Sequence, residues 1–165
     1  MKRRAVLVVT VVLVLTAAAG AAAAEHAFTG IASRYEQIRQ ALIENSTDGV
    51  KEHALAIQFT ASRLSRDYSA AAAGVAEKDA AAVRALLPEI IERAGALAAA
   101  DGLVAVRTQL AELTKPLVRY HALVQGARPI VVYCPMEKKS WLQPDEPIGN
   151  PYAPSMLRCG EVVQR

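Results

Sequence analysis

Two short sulfur clusters stand near the C-terminus, Cys134-Pro135-Met136 and Met156-Leu157-Arg158-Cys159. They hold both cysteines of the chain and two of its three methionines, Met1 being the other. Together they offer two thiolates and two thioethers, a donor set that selects Cu(I) and similar soft ions. In an extended Cys-x-Met, alternate side chains point to the same side. In a helical turn, Met156 and Cys159 also share a face. Two such pairs can close on one ion of four or fewer ligands. Two thiolates overcompensate a single positive charge by one, and Lys138, Lys139 and Arg158 lie close in sequence to offset the excess.

The same cysteines can instead form a disulfide. An even count in an oxidising compartment favours that pairing. A disulfide, however, has no need of a methionine beside each cysteine. Methionine is absent from the helical region, where it would be ordinary core filler. Dithiol and disulfide can also be two redox states of one site. Zn(II) fits less well, because it prefers histidine or further thiolates to thioethers. His121 and His53 are candidates for an additional ligand, and both also read as structural histidines. A cut ahead of Ala24 would create Ala-Glu-His at the N-terminus, an arrangement suited to square-planar Cu(II) at His26.

The N-terminus reads as an export signal spanning residues 1–24. Lys2, Arg3 and Arg4 form a positive head, Val6 to Leu15 is apolar apart from Thr10, and Ala22 and Ala24 suit a cut before Glu25. The apolar run is too short and too alanine-rich to be expected to span a membrane, so no stable insertion is expected once the signal is removed. The chain carries 19 basic and 16 acidic residues, and losing the three basic residues of the signal leaves the two signs equal. Nothing basic then remains to attract nucleic acid. The expected location is the periplasm, with residues 25–165 as a single domain.

Four amphipathic helices are expected between about residues 30 and 125. Ile31, Tyr35, Ile38 and Leu42 recur at helical spacing, as do Val50, Ala54, Ile57, Ala61 and Leu64. The second helix is expected to continue through the alanines at 70–73 to Gly74. A third stripe runs from Val83 to Leu97, and a fourth through Leu103, Val106, Leu110, Leu113, Leu117, Tyr120 and Val124. Pro88 and Pro116 interrupt the third and fourth, where each should kink the helix or mark its boundary. The expected fold is therefore all-α, an antiparallel four-helix bundle. Six of the eight prolines lie between Pro129 and Pro154, so residues 126–165 read as a proline-rich irregular segment packed on the bundle. Ile130 to Tyr133 stand out there as a short extended stretch, and Trp141, Leu142, Ile148, Tyr152 and Leu157 supply the side chains that dock it.

In order along the chain, Tyr133-Cys-Pro-Met136, Trp141-Leu142, Ile148-Gly-Asn-Pro-Tyr152 and Met156-Leu-Arg-Cys-Gly160 resemble the signature of an exported bacterial domain family of unknown function. That domain also occurs fused to adaptor subunits of RND-type copper/silver efflux pumps. The resemblance is close over residues 133–160 and loose over the remaining mature chain. It implies soft-metal binding at Cys134, Met136, Met156 and Cys159, and a role in copper homeostasis with an efflux adaptor as partner. Glu137-Lys-Lys-Ser140 and Ala153-Pro154 depart from the family pattern.

The expected function is periplasmic Cu(I) or Ag(I) binding, for sequestration or for transfer to an efflux system. The alternative is a disulfide-stapled helical interaction module. No enzyme is expected, because the chain has no nucleophile elbow, no His-x-x-x-His pair, no phosphate loop and no Cys-x-x-Cys motif. Glu89, Glu92 and Arg93 read as a solvated helix face.

Overall fold

The computed structural model describes residues 26–165; the export signal expected at 1–24 lies outside them. Helices α1 (Ala27–Ile43), α2 (Val50–Arg66), the single turn α3 (Ala70–Ala73), α4 (Ala80–Ala98) and α5 (Gly102–His121) precede three strands. These are β1 (Ile130–Cys134), β2 (Lys139–Gln143) and β3 (Glu161–Gln164), antiparallel in the order β2-β1-β3. The all-α expectation is corrected: the fold is mixed, with a sheet where an irregular tail was expected.

The helical stripes form the core as their spacing requires. Ile31, Tyr35, Ile38 and Leu42 of α1 are buried, as are all five stripe residues of α2. Leu87, Ile90 and Leu97 of α4 meet Leu110, Leu113 and Leu117 of α5 in one continuous cluster. The expected continuation of α2 through the alanines does not form. Ser69 starts α3 as a separate turn by accepting from the Ala72 N–H, and Gly74 ends it in the left-handed region. Helix α4 continues through Pro88 and α5 through Pro116, so neither proline is a boundary.

Helices α1 and α2, α2 and α4, and α4 and α5 pack as neighbours. Helices α1 and α5 meet through the buried Tyr35–Thr114 hydroxyl bond and the Phe28–Tyr120 ring contact, and β2 lies against both. This is why the strands do not alternate. Val131, Val132 and Cys134 of β1, and Trp141, Leu142 and Gln143 of β2, are all buried, as expected for strands covered on both faces.

Candidate metal centre at the disulfide end of the sheet

Cys134 is the last residue of β1, opposite Lys139 of β2. Cys159 follows a short 3-10 turn, Pro154–Met156, and precedes β3. The antiparallel pairing of β1 with β3 brings the two cysteines side by side, and they are joined as a disulfide with Cα atoms 5.6 Å apart. Cys134 is completely buried, whereas Cys159 is half-buried. Gly160 lets this corner close: a Cβ there would lie 2.7 Å from both Trp141 Cη2 and Val132 Cγ1.

Each methionine accompanies its cysteine by a different local structure. The Cys159 N–H donates to the Met156 carbonyl at 2.9 Å, so 156–159 is the single turn expected from the spacing. The extended Cys-x-Met does not form. The strand ends at Cys134, and Met136 lies in the turn between β1 and β2, 72% exposed. Lys138 completes that turn with φ +53°. All four sulfur residues thus fall at one end of the sheet, with the cysteines oxidised and Met136 in solvent. Among the described residues no cluster of three or more His, Cys, Asp or Glu side chains converges.

Neither candidate histidine is free beside the sulfurs. His121 is buried, with Nε2 2.6 Å from the Pro129 carbonyl and Nδ1 3.2 Å from Gln164 Oε1. Nε2–H donates to the carbonyl; with a neutral ring, Nδ1 then accepts from the Gln164 amide in its alternative orientation. Burial holds this imidazole below its ordinary pKa, and nearby Arg128 adds to the effect. His121 therefore ties α5 to the connection before β1 and to β3. His53 belongs to α2, which packs on α1 and α4, and its ring lies beside Gly49. His26 sits over Gly74, and the Glu25 amide needed for a Cu(II) arrangement lies outside the described residues.

Comparison with protein-family models, with curated proteins and with solved structures finds no match. The chemistry of this end of the molecule therefore rests on its own residues.

The stretch Ile148-Gly149-Asn150-Pro151-Tyr152 supports the corner by a mechanism that sequence reasoning missed. Three arginines each claim one of its carbonyls: Arg158 takes Ile148 at 2.7 Å, Arg39 takes Gly149 at 2.6 Å, and Arg107 takes Pro151 at 2.9 Å. Arg39 is buried and also makes two 2.7 Å bonds to the Glu36 carboxylate. A Cβ on Gly149 would lie 2.7 Å from Arg39 Nη1, so only glycine allows the approach. Buried Gln143 ties the preceding loop, donating to the Asp145 and Pro147 carbonyls and accepting from Trp141 Nε1–H and Gly149 N–H. Tyr152 donates to the Ser140 carbonyl at 2.8 Å, while Tyr35 and Thr114 share a buried 2.7 Å hydroxyl bond beside it. The available signal was Arg39 itself, a charge placed next to the buried positions Ile38 and Leu42.

Proposed function

We propose that this protein binds Cu(I), with Ag(I) as a chemical equivalent, through Cys134, Cys159, Met136 and Met156, and that it buffers the ion or passes it to an efflux system in the periplasm. One observation carries this reading: the fold gathers every sulfur residue among the described residues at one end of the sheet, and leaves Met136 exposed rather than used in the core. The disulfide is then the unloaded oxidised state. A dithiol reductant supplies two electrons and two protons to open it, and is itself oxidised to a disulfide. Cu(I) then displaces the two thiol protons. The soft ion matches thiolate and thioether donors better than Zn(II) does.

The test is an anaerobic competition titration with a Cu(I)-selective chelator on reduced and oxidised protein. Reduced protein should take up one Cu(I) per chain. Cys134→Ser or Cys159→Ser should abolish uptake, and Met136→Leu or Met156→Leu should weaken it. Equal uptake by reduced wild type and by a Cys134→Ser/Cys159→Ser double variant would overturn the assignment.

The disulfide itself favours a second reading, a permanently stapled interaction module. Cys134 is completely enclosed, and a thiolate leaving group generated in apolar surroundings is disfavoured. Thiol counting on protein taken directly from an oxidising compartment separates the two. Cysteines that stay oxidised under reductants in native buffer favour the staple.

A further inference from the structure

Helix α2 packs one face on α1 and α4 and turns the other to solvent. Two large apolar side chains stand on that outward face one turn apart, Leu55 (45% exposed) and Phe59 (61% exposed). Among the described residues Phe59 is the one aromatic side chain left exposed. Glu52 and Arg66 lie seven residues to either side of Phe59, which is two turns of helix to within about 20°. Glu52, Phe59 and Arg66 therefore run down the middle of the outward face, and all three are exposed. The series is acid, phenylalanine, base. The helix dipole accounts for an acid in the first turn and a base in the last. It does not account for a phenylalanine held in solvent midway between them.

A second copy of α2, laid antiparallel about a two-fold axis at Phe59, covers that ring and completes the charges. Phe59 meets Phe59, Leu55 widens the apolar centre from both copies, and each Glu52 comes beside the partner's Arg66. The two charge pairs form at equal heights, about 10.5 Å of helix rise to either side of the axis. In a two-fold contact each pair is necessarily made twice. A parallel copy would set acid against acid and base against base, so charge selects the antiparallel sense. Neither Glu52 nor Arg66 has an ion-pair partner within the chain among the described residues, so both are free to pair across the contact. Arg63 lies over the Phe59 ring at 6.0 Å from its centroid, yet the ring stays open to solvent. We propose that the outward face of α2 is a two-fold self-association surface, pairing two copies antiparallel about Phe59. The surface uses none of the sulfur residues and stands apart from metal binding.

The test is sedimentation velocity of the oxidised protein over a concentration series. Wild type should shift from monomer to dimer mass as concentration rises, and Phe59→Ser should stay monomeric. Glu52→Arg alone or Arg66→Glu alone should weaken self-association about tenfold, by turning two attractive pairs into repulsive ones. An equimolar mixture of these two single variants should dimerise like wild type, because one chain then carries bases at both positions and the other carries acids at both. Unfavourable charge at a helix end cannot mimic that rescue, since each chain keeps it in the mixture. Val104→Ser, at an exposed site on α5, should leave association unchanged. Circular dichroism confirms that each variant is folded. A wild type that stays monomeric at the highest concentration overturns the proposal and leaves this face to a different partner. So does a dimer that ignores Phe59→Ser, or a mixture of the single variants that associates no better than either alone.

Discussion

Breaking the Cys134–Cys159 bond should destabilise the domain by an amount that depends on which cysteine is replaced. The bond closes a chain separation of 25 residues. In the chain-entropy model a loop of that size restricts the unfolded ensemble by about 3.5 kcal/mol at 25 °C. Cys159→Ser should lose roughly this amount, because the new hydroxyl lies at a half-buried site where solvent can satisfy it. Cys134→Ser should lose about 1–3 kcal/mol more, because its hydroxyl enters a fully enclosed position. For a domain of this size the first loss corresponds to a fall in Tm of roughly 10 °C. Trp141, the only tryptophan, is completely buried next to Gly160, so its fluorescence reports urea unfolding at this corner. The m-value should rise in both variants, since an uncrosslinked unfolded chain exposes more surface. A loss below about 1 kcal/mol in Cys159→Ser, with m unchanged, would show that the bond does not restrict the unfolded chain as argued. Equal losses in the two variants would refute the burial term.

Three further outcomes follow from buried polar groups. Arg39→Met removes the cation held by Glu36 and orphans the Gly149 carbonyl, so urea unfolding should register a loss of roughly 3 kcal/mol, with more than half regained in the Glu36→Gln/Arg39→Met pair. His121 is held below its ordinary pKa of 6.5 by burial; its stabilising contribution is complete above that value and is lost as pH falls below it, while the unfolded chain takes up the proton first. His121→Gln should flatten the stability profile between pH 6.5 and 5, and a slope unchanged from wild type would rule this out. Burial raises the Tyr35 hydroxyl to about 12, and raises Tyr120 and Tyr152 as well. Their contribution is whole below pH 10 and falls as pH rises from 10 toward 12, so phenolate absorbance should increase together with the loss of circular dichroism; ionisation of all three in a folded chain would contradict it.

What was legible in the sequence was local and periodic. The stripes of α1, α2, α4 and α5 were readable because each repeats on one helix face, and one buried face per helix is all that a bundle needs. The sheet was not readable for the converse reason. Ile130 to Tyr133 did stand out as a short extended stretch, and β1 forms there, but Trp141 to Gln143 of β2 are all buried, so the two-residue alternation that marks a strand is missing. The sequence singled out Cys134 and Cys159 by their neighbours but could not show them in contact; the pairing of β1 with β3 brings their sulfurs within bonding distance.

The arginines were hidden by distance along the chain. Arg39 is buried because a carbonyl 110 residues away needs a donor, and Arg107 bridges to Pro151 in the same way. Once those contacts are known, the Gly-Asn-Pro-Tyr stretch acquires a physical purpose. Its Gly149 and Pro151 carbonyls are held by Arg39 of α1 and Arg107 of α5, so it passes over the bundle without strand or helix partners at those groups. The consequence reaches the sulfur corner. Met156 and Cys159 follow this stretch, and Asn150 N–H donates to the Leu157 carbonyl at 2.8 Å. Their position is therefore set from both sides, by the anchored loop before them and by β3 after them. If the disulfide opens, these ties still hold Cys159 near Cys134, so the dithiol is preorganised rather than released. A preorganised pair favours rapid reoxidation and soft-ion capture equally. On the proposed reading, Met136, exposed in its turn, is the donor that would close over a captured ion.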